Sequence, residues 1–279
     1  IEGRDHKGRP LRRDILEIVG PDVPFLVDSV IAELGAQGAH LLALFHPIVE
    51  VRRDADGTRC DQGVPRRESL IQVHLQTVPA SKRDAVLMGV RETLNDVAMS
   101  VSDFAAMKAR MLASAGALAL APSHIDPEEV SEAIAFLRWL ANDHFTFLGA
   151  RSYDFPMLVD PDEAPPEPII RDELNLGILR DPLRLILRRT NETLVLTPEF
   201  LAYLEEPTPL IVAKSNSQSR VHRRVVMDYI GVKRYGEDGF VVGEDRFLGL
   251  FTSDSYDSMA RDVPLLRRKV SRVMGRAGM

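Results

Sequence analysis

The chain has 279 residues, 45% of them hydrophobic and 27% charged, a balance typical of a folded protein with room for two domains. Its 35 Lys and Arg residues against 41 Asp and Glu residues give a formal net charge of −6, which argues against a nucleic-acid-binding protein. A single cysteine, Cys60, excludes an intrachain disulfide, and no apolar run approaches the roughly 20 residues that cross a bilayer, so we expect a cytoplasmic protein without a membrane partner.

The first part of the sequence predicts alternating strands and helices. Residues 15–19 form a β-like run that stops at Gly20 and Pro21, and a helical pattern opens at Pro24. Strands are expected over 41–51 and 70–75, on either side of a polar loop. A second helix from about Ser81 and a short strand over 98–101 complete the order βαββαβ. This order predicts a ferredoxin-like α+β domain over residues 11–113, with both helices on one face of the sheet.

The middle of the chain predicts a helical connection over residues 114–143. A helix over 103–113 comes before it, and the small-residue stretch 114–122 is typical of a linker. Asp126 and Pro127 have the residue types of a helix start, a capping carboxylate followed by proline at the first helical position. The helix that they open should end near Asn142.

The third part is rich in β-like runs and predicts a mixed α/β domain over residues 144–255. Long antiparallel strands at its end suit a PAS-like sensor fold. The predicted strands cover residues 144–152, 178–179, 185–187, 210–213, 227–234 and 240–252. The last two are separated by Gly236 to Gly239, a hairpin signal, and the proline-rich residues 154–171 predict an exposed loop.

Residues 256–279 predict a helix that leads to a further domain. The helix should open at Asp262 to Pro264 and turn Leu265, Leu266, Val270 and Val273 inward. The chain stops directly after this pattern, as expected for part of a longer protein. The first four residues, 1–4, have the pattern of a protease-cleavage remnant.

The sequence predicts no catalytic, metal or cofactor site. It contains no glycine-rich dinucleotide fingerprint, no Walker-type sequence, no His-Glu-x-x-His and no Cys-x-x-Cys. His46 and His74 lie on neighbouring predicted strands and could approach each other; two ordinary, partly buried histidines are favoured over a metal or acid–base pair. Cys60 is predicted to be an exposed spectator thiol rather than a nucleophile.

The turn between the first strand and the first helix is one candidate binding site. Backbone N–H groups at a helix start can bind an anionic group such as an α-carboxylate, and Asp22 or Asp28 could pair with an α-ammonium. The simpler interpretation is that Asp22 caps the helix and Pro24 starts it. The candidate amino-acid site comprises Asp22, Pro24, Phe25, Leu26, Val27 and Asp28.

A second candidate is the polar segment 214–224, which lies between two β-like runs. Its hydrogen-bond donors favour either a solvated loop or a loop that binds an anion or an acidic surface of another domain. The residues singled out are Lys214, Asn216, Arg220, His222 and Arg223.

Several strings, in the right order, resemble the family of large bacterial NAD-specific glutamate dehydrogenases. The longest is FLRWLANDHFTFLG at 136–149. The others are PFLVDSV at 24–30, HP at 46–47, VHR at 221–223 followed by MDYIGVK at 227–233, GEDRFLGLFTS at 243–253 and PLLRRKV at 264–270. The resemblance that they carry extends over about residues 15–278, and together they are far more specific than one short motif.

The resemblance implies a role for this chain and for the longer enzyme. Such enzymes oxidise glutamate to 2-oxoglutarate and ammonium with NAD, and they carry ACT-like and PAS-like modules before the dehydrogenase domain. Residues 11–113 would then be an ACT-like domain and residues 144–255 a PAS-like domain, while the parts that bind NAD and glutamate lie outside this sequence. ACT modules usually bind amino acids at the turn after the first strand, where Pro24-Phe25 replaces the common Pro-Gly pair.

These observations predict a non-catalytic regulatory and assembly region. Its partners would be the catalytic region of its own enzyme and other subunits of a homo-oligomer, with a small amino acid as ligand. The cofactor NAD would belong to the full-length enzyme and not to this segment. The alternative is a purely structural oligomerisation scaffold without a ligand.

Overall fold

A computed structural model describes residues 2–4, 6–121, 124–155, 168–182, 184, 206 and 208–277. It divides into two compact units, Ile1–Val101 with Ser219–Val225, and Ser102–Gln218 with Val226–Met279. Each unit is built on an antiparallel sheet with helices, so the predicted α+β class is confirmed.

The first unit has a sheet of order β1-β2-β5-β3, in which β4 also pairs with β5. Its elements in chain order are β1 (Glu2–Arg4), β2 (Pro10–Pro21), α1 (Leu26–Ala36), β3 (Leu41–Phe45), β4 (Ile48–Val51), β5 (Arg66–Gln76) and α2 (Ala80–Ser102).

The core of the first unit lies between the two helices and one face of the sheet. In β5, alternate residues Ile71, Val73 and Leu75 point into this core, as the two-residue period of a strand requires. Helix α1 adds Val30 and Leu34, and α2 adds Val86 and Val90, each pair at a spacing of four. Both helices therefore pack on one face of the sheet, as the sequence predicted.

The predicted strand over 98–101 is wrong, because these residues form the last turn of α2. Val90, Val97 and Ser100 are all buried, so the helical spacing of inward residues continues to the end of the element. Helical packing on the sheet outweighs the β-like character of this short run. The described order of the unit after β1 is therefore βαβββα, in which β3 and β4 take the place of one predicted strand.

The second unit has a sheet of order β7-β6-β11-β10-β9, in which β8 also pairs with β6. Its elements are α3 (Phe104–Leu120), α4 (Pro127–Trp139), β6 (Phe145–Asp154), β7 (Ile169–Ile170), β8 (Leu176–Gly177), β9 (Leu210–Gln218), β10 (Val226–Tyr235), β11 (Val241–Phe251), α5 (Ser253–Asp257) and α6 (Leu266–Arg276).

The core of the second unit joins α3 and α4 to one face of this sheet. Met107 and Met111 of α3 and Leu137 of α4 are fully buried against Phe147 and Ile230 of the strands. The predicted start of α4 is confirmed, since the Asp126 carboxylate accepts the Glu128 N–H at 3.0 Å and Pro127 takes the first position.

Three predicted local structures in the second unit are wrong. The proposed linker is helical up to Leu120, because Ala and Leu are strong helix formers. Residues 178–179 lie in a 3₁₀ turn, Ile178–Arg180, rather than in a strand. The first half of the polar segment 214–224 belongs to β9, where Lys214 pairs in register with Asp228 of β10.

The inward orientation predicted for the last helix is also wrong. Leu266 and Val270 are each 42% exposed and Val273 is 65% exposed, whereas Leu265 just before the helix packs on the core. Ion pairs hold the basic side of α6 on α4; one joins Arg268 to Glu129 at 2.7 Å. Residues 156–167 of the predicted loop 154–171 fall outside the described residues. The predicted strand over 185–187 also falls outside them.

Candidate functional site

The turn before α1 holds the first group of predicted site residues. Asp22 does not cap the helix; its N–H donates to the Arg67 carbonyl at 3.1 Å, and its carboxylate pairs with the Arg67 guanidinium at 3.0 Å. Leu26 and Val27 are half-buried and pack against the core of the unit. Pro24 is exposed. Of the six predicted residues, Phe25 and Asp28 therefore remain for contacts at the surface of the turn.

Phe25 ends the turn in a left-handed conformation, with φ of 68°. This region favours glycine and costs a bulky residue about 1–2 kcal/mol. The resemblance to ACT modules implies a glycine at this position, and Phe25 has a glycine-like backbone. Its carbonyl accepts the N–H of Ser29 at 3.1 Å and the hydroxyl of Ser29 at 2.5 Å.

The second group of predicted residues splits into two. Lys214 and Asn216 lie in β9, where the Lys214 ammonium is 2.6 Å from the Asp228 carboxylate and Asn216 accepts the Ser217 hydroxyl. Arg220, His222 and Arg223 lie in Ser219–Val225, which belongs to the first unit although its neighbours in the chain belong to the second. We call Ser219–Val225 the 219–225 segment.

The structure brings the 219–225 segment onto the start of α1. The His222 N–H donates to the buried Ser29 hydroxyl at 2.8 Å, and its Nδ1 atom is 3.2 Å from the Asp28 carboxylate. The imidazole ring lies 5.0 Å from the Phe25 ring, centroid to centroid. His222 also has a left-handed backbone, with φ of 64°. The sequence indicates both segments as candidate sites but does not predict that they meet.

Two arginines of the 219–225 segment make ion pairs with the two helices. Arg220 lies 2.7 Å from the Glu92 carboxylate of α2, and Arg224 pairs with Glu33 of α1. The backbone of Arg223 donates to the Val221 carbonyl at 2.8 Å, within the segment itself. The acidic partners of these two arginines, Glu92 and Glu33, therefore belong to the same chain.

Glu33 is the buried centre of this cluster, with only 2% of its surface exposed. Its carboxylate accepts a hydrogen bond from the Gln37 amide at 2.8 Å and another from Arg224. Burial raises the pKa of Glu33, but the hydrogen bonds from Gln37 and Arg224 and the charges of Arg224 and Arg220 outweigh burial and hold the pKa below its usual value. Glu33 is thus held as a buried anion.

Sequence reasoning missed Glu33, although a signal was present. Glu33 lies between Val30 and Leu34 on the apolar stripe of α1, where a carboxylate is unexpected unless it has a partner. Gly89 lies three residues after Val86 on the inward stripe of α2, and a methyl group there would overlap the Glu33 carboxylate. A charged residue and a glycine on facing stripes together indicate a buried polar contact.

Replacing Arg224 with glutamine should lower the free energy of unfolding by about 1 kcal/mol, because the buried Glu33 would lose its cationic partner. The estimate is modest since the Arg224 side chain is 33% exposed. Urea denaturation of the single variants Arg224→Gln and Glu33→Gln and of the double variant measures the coupling. Fully additive losses would show that the two side chains do not stabilise each other. The coupling should disappear as the pH falls through the folded-state pKa of Glu33.

The second unit contains a different buried ionic cluster, on β10 and β11. Glu244, 1% exposed, accepts the Tyr229 hydroxyl at 2.6 Å and the Arg246 guanidinium at 3.1 Å. Arg246 also lies 4.3 Å from the ring centroid of Tyr153. Burial lowers the pKa of Arg246, but the neighbouring Tyr229 and Glu244 outweigh it and raise the pKa. The buried charges of Glu244 and Arg246 are therefore paired with each other.

The histidine pair and the cysteine considered in the sequence have ordinary surroundings. His46 contacts the Ser69 hydroxyl, whereas His74 is 3.1 Å from the Gln72 amide oxygen and 3.3 Å from Arg13, so the two rings have separate partners. The Cys60 thiol donates to the Gln62 carbonyl. Within the described ranges no group of three or more His, Cys, Asp or Glu residues could hold a metal ion. The described helices include none that is both long and apolar enough to cross a membrane.

Comparison with known proteins gives two results. A family model described as "Glutamate dehydrogenase, ACT1 domain" matches residues 4–88, which contain the turn before α1 and Glu33. The chain is also 35% identical over 274 residues to the NAD-specific glutamate dehydrogenase of Pseudomonas aeruginosa, and 35% identical over 273 residues to that of Halomonas elongata. Each alignment covers 94% of this chain and 16% of the relative, so the chain spans about a sixth of the length of these relatives. The similarity to NAD-specific glutamate dehydrogenases that the sequence strings indicate is confirmed.

Proposed function

Since the chain is homologous to the N-terminal part of the NAD-specific glutamate dehydrogenases, we propose that it is the non-catalytic regulatory and assembly region of such an enzyme. The observation that carries the proposal is the ACT1 match over residues 4–88, a module type that usually binds amino acids. The longer enzyme would oxidise glutamate to 2-oxoglutarate and ammonium with NAD, at a site outside this segment.

The geometry of the α1 start supports a regulatory role. Asp28 presents a carboxylate whose side chain is 61% exposed, and His222, which contacts it, also contacts the buried Ser29 hydroxyl and the Phe25 ring. A carboxylate, a hydroxyl and an aromatic ring are suited to the ammonium group and side chain of a free amino acid. Regulation requires that such a ligand bind two states of the enzyme with different affinity.

The strand order of the second sheet supports a PAS-like assignment for residues 144–255. The two-residue β8, which pairs with β6 beside this path, is left out of the count. If β6, β7, β9, β10 and β11 are counted as strands one to five, the order along the path is two, one, five, four, three. The first and last strands are thus neighbours in the middle, which is the arrangement of PAS-type sheets. This part of the region would serve as a second sensor or assembly module.

The partners that we propose are the catalytic region of the same enzyme and further copies of the chain in a homo-oligomer, in the cytoplasm. Val19, Phe45 and Ile48 of the first sheet are 59%, 54% and 45% exposed. Exposed apolar side chains of this kind favour association.

Calorimetric titration with the common L-amino acids, together with the mass by light scattering, tests the proposal on the 279-residue chain. We expect saturable binding of an amino acid, a mass of two or more chains, or both. Asp28→Asn should weaken any amino-acid binding about tenfold by removing a charged partner of the ammonium group, whereas Asp84→Asn, on α2, should leave it unchanged. Glutamate-dependent reduction of NAD by this chain alone would contradict the proposal, and so would a monomer that binds no amino acid.

A further inference from the structure

We infer that the 219–225 segment is a strap that closes over the start of α1 and keeps a free amino acid out of that turn. The inference rests on the proposed function, because it concerns the access of a regulatory ligand to the same residues. According to the inference, the 219–225 segment of the chain itself occupies the turn and has to be displaced before a ligand can bind.

The strap makes acid–base contacts with both helices of the first unit. Arg220 pairs with Glu92 of α2, while His222 and Arg224 contact Asp28 and Glu33 of α1. These contacts join residues far apart in sequence; 191 positions separate Glu33 from Arg224. A connection between two strands needs no such set of partners, so the contacts indicate a segment built to bind this surface.

The strap also has an internal structure that suits it for docking. Its ends are joined by a hydrogen bond from the Ser219 N–H to the Val225 carbonyl at 2.8 Å. The Ser219 hydroxyl accepts the Val221 N–H at 2.9 Å and donates to the Val221 carbonyl at 2.7 Å, and both residues are buried. A segment held in its bound shape loses little conformational freedom when it docks.

His222 uses the groups that a free amino acid would need. Its backbone N–H donates to the Ser29 hydroxyl, whose own proton goes to the Phe25 carbonyl. Its imidazole lies against the Asp28 carboxylate and contacts the Phe25 ring. An amino acid bound through the same carboxylate and hydroxyl would overlap His222. The ligand and the strap therefore cannot occupy the turn before α1 at the same time.

The contacts also show how the strap could be displaced. Exposed ion pairs stabilise little, and the side chains of Arg220, Glu92 and Asp28 are 34%, 47% and 61% exposed. The pair of Arg224 with the buried Glu33 therefore holds the strap most strongly. Opening it requires Arg224 to leave, while Glu33 keeps its hydrogen bond from Gln37.

The strap can be tested by limited digestion of the 279-residue chain with trypsin, since Arg220 and Arg223 are cleavage sites within it. The double variant His222→Gly, Arg224→Gln removes the side-chain contacts of both residues with α1 and keeps the backbone N–H of residue 222 that Ser29 accepts. Glycine suits the φ of 64° at position 222. We expect cleavage after Arg220 and Arg223, followed by mass spectrometry, to become about tenfold faster than in the unchanged chain. Arg272→Gln, which removes an arginine of α6 that pairs with Glu129, is the matched control and should not change these rates.

Titration of the same variants with the common L-amino acids completes the test. An amino acid should bind the double variant about tenfold more tightly than the unchanged chain, because the strap no longer competes. Equal cleavage rates in the double variant and the unchanged chain would contradict the inference. If cleavage shows that the strap has opened in the double variant, equal amino-acid affinities of the two proteins would contradict it as well. Neither result changes the outcome of the NAD-reduction and light-scattering tests, so a failure of the strap is distinguishable from a failure of the proposed function. If the double variant does not fold, His222→Gly alone should give a smaller rise in the same two quantities.

Discussion

Replacing Gly89 with alanine should lower the free energy of unfolding by about 2 kcal/mol, although alanine is the better helix former by about 1 kcal/mol. A methyl group at this position of α2 would overlap the Glu33 Oε1 atom and lie 3.0 Å from the Gln37 amide nitrogen. The tip of a glutamate can usually move aside, but this one is buried and bound at both oxygens. Moving it breaks the contacts with Gln37 and Arg224.

Gly35→Ala is the matched control for this prediction, measured by urea denaturation in the same buffer. Gly35 lies in α1 of the same unit, and an added methyl group would meet nothing within 4 Å. We expect this change to raise the free energy of unfolding by about 0.5–1 kcal/mol, as in an unhindered helix. If Gly89→Ala stabilises the chain equally, then Glu33 is not confined as the structure indicates.

Replacing Gly177 with alanine should lower the free energy of unfolding by about 4 kcal/mol, because a special backbone conformation and a backbone clash coincide there. Gly177 has φ of 59° and ψ of −140°, a region used almost only by glycine. An added methyl group would overlap the Leu148 carbonyl oxygen and lie 2.9 Å from the carbonyl carbon. Since these are backbone atoms of β6, the strand itself would have to move.

Gly57→Ala separates the conformational cost from the clash. Gly57 also has a positive φ, 79°, but it lies in an open turn where a methyl group meets nothing within 4 Å. We expect a loss of about 1 kcal/mol, from backbone strain alone. Thermal unfolding of both variants measures the difference, and equal losses would show that close approach of Gly177 to β6 contributes nothing.

Local chemistry made part of the fold and of the site predictable. The cap of α4 at Asp126 depends on atoms two residues apart, and the hairpin at residues 236–239 depends on a few neighbouring residues. Errors arose where local signals conflicted with packing. The β-like residues 98–101 stayed helical because Val97 and Ser100 continue the buried face of α2.

By itself, the sequence determined the α+β class, the ACT-like first domain, the resemblance to NAD-specific glutamate dehydrogenases and the two polar segments that could form a site. These follow from periodicity, turn residues and long matching strings, all of which are local along the chain. Only the tertiary structure decided that the two segments meet, that Glu33 is their buried centre, and that Gly89 makes room for it. The physical reason is distance along the chain: a pair such as Glu33 and Arg224 forms only after the elements between them have packed, and periodicity records no such contact.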